Sequence, residues 1–129
     1  MKNLLIVISG FSVSLILPIK AGIGLPLPHI NQHQSYRELR TKLIDMGWQP
    51  VNFPPSERYE RANVISQREN WQELEMCSST GAGFCRFVFQ DELGNKLIII
   101  THSNEASIPI KRRYLIDNWM YEPVINECD

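Results

Sequence analysis

The chain has 129 residues, with 13 basic and 14 acidic side chains and a formal net charge of −1. This length is typical of a single domain, and the near-neutral balance lacks the basic excess of a nucleic-acid-binding domain. We therefore expect one domain that does not bind nucleic acid.

The first 21 residues are predicted to be a secretory signal peptide. Lys2 precedes a largely apolar run from residue 4 to residue 17, and the small residue Ala21 lies at the expected cleavage position. The apolar run has 14 residues (4–17), whereas a helix that spans a bilayer needs roughly 20. We expect an exported protein, periplasmic or secreted, without a membrane span after cleavage. Losing Lys2 and Lys20 leaves 11 basic against 14 acidic residues, a charge of −3.

The remaining chain divides into three predicted parts. Residues 22–34 are rich in proline and histidine and are expected to be an extended leader on the surface. Residues 35–122 form a single α+β domain, and residues 123–129 form a C-terminal tail.

The most secure predicted element is a helix over residues 35–46. Ser35 and Glu38 have the spacing of a capping box, and apolar residues follow at helical spacing. Gly47 can adopt the left-handed conformation that ends a helix. Residues 56–72 lack a clear apolar period, so they are predicted to be a loop with at most one helical turn.

Alternating apolar residues predict an antiparallel sheet of about four strands, with the helix packed on one face. Residues 49–53 form an edge strand, Leu74 and Met76 share one face of a short strand, and residues 84–90 and 97–101 form a central hairpin. Residues 108–121 fit a strand or a helix, and a strand around residues 113–119 is favoured because Tyr114 and Ile116 alternate.

Three cysteines remain after the signal peptide. Cys77 and Cys85 flank one predicted turn between neighbouring strands, where a disulfide can form. Cys128 could instead pair with either of them, and the sequence leaves this open. An oxidising compartment permits such a bridge.

No known metal or cofactor motif is present. His29, His33 and His102 fall in no zinc-binding pattern. The segment from Ser78 to Gly83 resembles a phosphate-binding loop but lacks its Lys-Ser/Thr ending and leads into a strand. We therefore predict no cofactor and no metal.

A sheet face or rim is the predicted contact surface for a partner. The residues assigned to it are Arg86, His102, Arg112, Arg113 and Tyr114. The alternative is a small envelope enzyme that uses His102 with Ser79, with Ser103 or with a free thiol, although no motif carries it. A third possibility is a purely structural, oligomeric envelope protein.

One stretch of the chain resembles a known group. Tyr36 and Leu39, then residues 47–51, then residues 73–87 with the pattern Cys-Ser-x-Thr-Gly-x-x-x-Cys-Arg-Phe, resemble small exported bacterial proteins of unknown function over about residues 35–102. The resemblance implies a signal peptide and a helix packed on an antiparallel sheet. A looser likeness of fold is to modules of the PepSY or β-lactamase-inhibitor-protein type. The expected function is a small exported binding module without catalysis of its own, contacting a protein or an envelope component.

Overall fold

The computed structural model describes residues 24–78, 83–102, 109 and 113–125. Their elements are α1 (Tyr36–Asp45), β1 (Gln49–Pro50), a 3₁₀ turn (Pro55–Glu57), α2 (Glu60–Glu69), β2 (Leu74–Cys77), β3 (Cys85–Gln90), β4 (Lys96–His102) and β5 (Leu115–Glu122). The predicted signal peptide, Arg112 and Cys128 lie outside these residues. No helix in the described part of the chain is long and apolar enough to cross a membrane.

The fold is α+β, as predicted, with five strands where about four were expected. The sheet is antiparallel, and its order is β1-β3-β4-β5. β1 and β2 both pair with β3. β1 pairs with its C-terminal end at Phe89 and Gln90, and β2 pairs with its N-terminal end at residues 85–87. The predicted central hairpin is confirmed, because β3 and β4 pair over their whole length from Cys85↔Thr101 to Gln90↔Lys96.

The core lies between the two helices and one face of this sheet. Tyr36 stacks on Phe87 with ring centroids 3.9 Å apart, and Trp71 meets both rings edge-on. Leu39 and Leu43 of α1 are fully buried in the same cluster. On the opposite face, Val88 and Ile98 are also buried, so the β3–β4 hairpin excludes water from both of its faces, as the continuous apolar run in β4 predicted.

Helix α1 ends as predicted but begins differently. Its C-terminal turn is a Schellman motif in which Gly47 has φ +104°, its N–H donates to Ile44 O and Trp48 N–H donates to Leu43 O. Ser35 is the N-cap, but its side chain makes no capping hydrogen bond. The predicted capping box is therefore absent. Tyr36 N–H donates instead to Tyr114 O at 2.9 Å, so the helix start is attached to the segment before β5.

Two local predictions are wrong. Residues 60–69, expected to be a loop, form helix α2, whose buried stripe is Ala62, Ile65 and Ser66. Because this buried stripe is short and includes a serine, the sequence of α2 shows no clear helical spacing of apolar residues. In β2, Leu74 is buried but Met76 is exposed, because a β-bulge between them shifts the strand by one residue.

A buried ionic network joins α1 to the start of β2. The Glu73 carboxylate is fully buried and accepts hydrogen bonds from the Tyr36 hydroxyl and from Arg40 Nε at 2.6 Å. Burial and the charge of Glu73 raise the pKa of Tyr36 well above its usual range, so its hydroxyl stays a donor. Burial alone would lower the pKa of Arg40, but its hydrogen bonds to Glu73 and the charge of Glu73 outweigh burial and raise it. The network holds α1 in one position on the sheet.

The described part of the leader, residues 24–34, is attached to the fold at several points, and it includes a turn at residues 32–33. Trp48 Nε1 donates to Pro26 O at 3.2 Å, and His33 N–H donates to Ile116 O at 2.7 Å. Ile30 is buried in the core. Leu25 N–H donates to Asp91 Oδ2 in the β3–β4 turn at 3.4 Å, so the leader runs from that turn to the start of β5 and completes part of the core.

Candidate functional site

Strand β5 forms one edge of the described sheet, and the described residues pair with only part of that edge. β4 occupies one side of β5, and the leader occupies the other side only at its start, where Ile116 exchanges backbone hydrogen bonds with His33 and Gln34. In the described parts of the chain, no backbone segment other than β4 pairs with residues 118–122. The unpaired backbone N–H and C=O groups of an edge strand can form hydrogen bonds with a strand of another chain.

Apolar side chains surround this open segment on both faces of the sheet. Trp119 packs partly on the core, while Met120 and Tyr121 are 39% and 41% exposed. Beyond the strand, Val124 and Ile125 are 56% and 81% exposed. Exposed apolar groups that cluster along a sheet edge typically mark a site of interaction with another chain.

Two features limit the open segment to about five residues. A register shift between Ile100 and Thr101 places Asp117 opposite no residue of β4, and such a bulge disturbs the ladder at the start of the segment. Pro123 follows its last residue and has no N–H to donate. Residues 118–122, with the side chains of Val124 and Ile125, are defined here as the β5 edge.

The predicted contact residues are only partly brought together. Arg86 and His102 lie on the same face of β3 and β4, because Arg86 pairs with Ile100 and His102 is two residues further along. Arg86 forms an ion pair with Glu75 at 2.8 Å, and both side chains are 37% exposed. Arg113 is half-buried. The structure thus leaves Arg86 and His102 as neighbours on a partly exposed surface.

Tyr114 cannot serve as a contact residue, because its side chain is fully buried. It adopts φ +62° and turns its ring into the core, edge-on to Trp71 at 5.3 Å. Its hydroxyl accepts a hydrogen bond from Arg68 Nη2 at 2.7 Å. The prediction placed Tyr114 in the last strand and on the contact surface, whereas it precedes β5 in a left-handed conformation and its side chain lies in the same buried core cluster as Ile116.

His102 lies at the end of β4 beside two residues that the sequence did not connect with it. Its Nδ1 is 3.4 Å from Asp117 Oδ1, and its ring meets the ring of His33 at a centroid distance of 5.6 Å. The leader brings His33 there, and the bulge in β5 brings Asp117 there. His33 belongs to the histidine pair noted in the leader, but no sequence pattern links it to residue 102.

A second charged cluster lies on the outer side of the two helices. Burial would raise the pKa of Glu69, but hydrogen bonds from Arg37 and Arg68, together with their charges, lower it. The Arg37 guanidinium also lies 5.0 Å from the centre of the Trp71 ring. A shallow depression of about 540 Å³ adjoins this cluster, lined by Arg37, Glu38, Thr41 and Lys42. It is open to solvent, so it has no enclosed shape to select a ligand.

The disulfide prediction is confirmed. Cys77 and Cys85 are bonded across the paired ends of β2 and β3. Neither can then act as a nucleophile, because thiol attack needs a free thiolate. The serines considered as partners of His102, Ser79 and Ser103, lie outside the described residues, as does Cys128, the remaining cysteine.

Comparisons of the chain with protein-family models, with curated proteins and with solved structures return no match. The functional reading therefore rests on the geometry and chemistry of the β5 edge and of the residues around His102.

Proposed function

We propose that the chain is an exported binding module, periplasmic or secreted, without catalysis of its own. It contacts a protein or another envelope component through the β5 edge. The observation that carries this proposal is the open segment at residues 118–122, which is flanked by exposed apolar side chains and follows directly on the part of β5 that the leader already covers.

The binding mode that fits this edge is the addition of a strand. The leader's backbone pairing with β5 ends at Ile116, and a partner segment in an extended conformation would continue the sheet along residues 118–122. Backbone hydrogen bonds would supply much of the affinity, and alternate side chains would supply the selectivity. Met120 on one face and Tyr121 on the other would contact the apolar side chains of the added strand.

Two features support export. The first 21 residues have the order of parts of a signal peptide. The bond between Cys77 and Cys85 is of a kind that persists in oxidising compartments such as the periplasm. Both are compatible with a domain that acts outside the cytoplasm.

The proposal is tested by site-specific crosslinking in cells that express the full chain. A photo-reactive residue at position 121 is expected to give a discrete adduct that the same residue at position 93 does not give. Leu93 is the matched control, because it is equally exposed at 42% but lies in the β3–β4 turn, outside the β5 edge.

A second change tests whether the edge itself makes the contact. Met120→Lys places a charge on the edge, which is how natural proteins prevent strand addition, and it should abolish the adduct, whereas Leu93→Lys should leave it unchanged. The partner identified from the adduct, once purified, should slow amide exchange at those residues of 118–122 whose N–H groups point away from β4. A partner that binds without protecting these amides would contradict the proposal, as would equal adducts at positions 121 and 93.

A further inference from the structure

The backbone stretch of the β5 edge can pair with an identical stretch in one complete register. Residues 118–122 lie between the bulge at Asp117 and Pro123. An antiparallel copy of this stretch matches all of its residues when both copies are centred on Met120. The two copies are then related by a two-fold axis, which is the commonest symmetry of soluble oligomers.

Slipped registers pair less of the stretch. Residues that face each other in a sheet lie on the same face, so a slip of one residue would place the exposed face of one copy beside the helix-covered face of the other. A slip of two residues keeps the faces matched but pairs only residues 118–120, or only residues 120–122, with themselves. The register centred on Met120 is therefore the one that uses the whole stretch.

The side chains that face each other in this register are compatible. Trp119 of each copy lies opposite Tyr121 of the other, and aromatic pairs across neighbouring strands stabilise a sheet. Asn118 lies opposite Glu122, and Met120 lies opposite Met120. No two like charges meet within the stretch, and its most apolar side chains lie nearest to the axis.

The described residues leave room for a second copy along this stretch. The leader's backbone pairing with β5 ends at Ile116. Beyond Glu122 the chain turns towards the β3–β4 turn, because Val124 N–H donates to Asn95 Oδ1 at 2.8 Å. The acidic Glu122 lies opposite the basic Lys96 of β4 in the same sheet, which reduces the repulsion between two acidic copies.

We propose that the partner of the β5 edge is a second copy of this chain, joined through residues 118–122 into a two-fold dimer whose sheet continues through both copies. This inference rests on the proposed function, because it names the occupant of the same edge. The paired stretch is short, so we expect a weak dimer with a dissociation constant of about 1–100 µM.

The test is sedimentation equilibrium of the exported protein, recovered from cells that express the full chain, at concentrations up to about 500 µM. The unmodified protein should dimerise. Met120→Lys and Met120→Glu should each weaken dimerisation roughly tenfold or more, because two like charges then face each other at the axis. An equimolar mixture of the two variants should dimerise roughly tenfold more tightly than either variant alone, because position 120 faces itself and a mixed dimer pairs opposite charges.

Leu93→Lys and Leu93→Glu are the matched controls, because Leu93 is 42% exposed and Met120 is 39% exposed. These controls should dimerise like the unmodified protein, both separately and mixed. Circular dichroism of each variant checks the fold. The proposal is overturned if the unmodified protein stays monomeric over this range, if mixing the Met120 variants restores nothing, or if the Leu93 variants weaken dimerisation equally.

Crosslinking from position 121 in cells separates this inference from the proposed function. An adduct between two copies of the chain supports the dimer. An adduct with a different protein overturns the dimer but supports a binding role for the β5 edge. The absence of any adduct at position 121 contradicts both.

Discussion

The buried carboxylate of Glu73 allows the sharpest prediction about stability. It accepts hydrogen bonds from the Tyr36 hydroxyl, from Arg40 Nε at 2.6 Å and from Arg40 Nη2 at 3.3 Å. Glu73→Ala removes all three and leaves the Arg40 charge and the Tyr36 hydroxyl without their partner. Glu73→Gln keeps one oxygen acceptor at the same position but removes the charge.

The size of the effect follows from these contacts. A hydrogen bond to a charged group contributes ~1.5–3 kcal/mol, and breaking a fully buried pair costs about 3–5 kcal/mol. The Arg40 side chain is 24% exposed and can regain some hydration. We therefore expect Glu73→Ala to cost about 4 kcal/mol of unfolding free energy and Glu73→Gln about 2 kcal/mol.

Urea denaturation with an unchanged m-value measures both costs. The matched control is Glu75→Gln, two residues further along the chain in β2, because Glu75 also pairs with an arginine but both partners are 37% exposed. A pair this exposed contributes less than about 1 kcal/mol. If Glu73→Gln costs no more than Glu75→Gln, then burial does not set the strength of this network and the reasoning is refuted.

Two further predictions concern the turn after β3 and the disulfide. Burial would raise the pKa of Asp91, but hydrogen bonds from Asn95, Leu25 and Leu93 lower it below its usual value of 3.8. The carboxylate therefore stabilises the fold above about pH 4 and loses this contribution as the pH falls through its lowered pKa. The difference in unfolding free energy between the unmodified protein and Asp91→Asn, measured by urea titration, should shrink below pH 4; a difference that is constant or grows there would contradict the direction of the shift. Replacing Cys77 and Cys85 together by serine removes a bridge that closes a sequence separation of 8, which should cost about 2.5 kcal/mol in the chain-entropy model. Thermal unfolding with and without reductant measures this cost, and the double variant should not respond to reductant.

Much of the fold was predictable because its strongest signals are local. The stripe of α1 and the apolar runs of β3 and β4 follow from side-chain periodicity, and the turn at Gly94 follows from its tolerance of positive φ, here +91°. Helix α2 was missed because its buried stripe ends in Ser66, and a search for regularly spaced apolar residues does not count a serine. Asn70, which ends α2 at φ +61°, was the available signal.

The candidate site was harder to predict, because it depends on contacts between distant parts of the chain. Tyr114 alternates with Ile116 in sequence and shares its buried cluster, but its positive φ delays the start of the strand to Leu115. Asp117 lies beside His102 because of a bulge in β5, and the alternation of apolar and polar residues in the sequence does not reveal a bulge. The openness of the β5 edge depends on how far the leader pairs with β5, which only the tertiary structure shows.

The Asp91–Asn95 turn has a consequence for the topology of the chain. Asp91 Oδ2 accepts from Leu25 N–H at 3.4 Å and from Asn95 Nδ2 at 2.9 Å, while Asn95 Oδ1 accepts from Val124 N–H at 2.8 Å. Leu25 and Val124, which are separated by almost the whole described sequence, are thus both bonded to this one pair of side chains. The two ends of the described chain are therefore close together in space. A short linker could join these points, and new termini could be opened between Cys77 and Cys85, where the disulfide would still hold the two strands together.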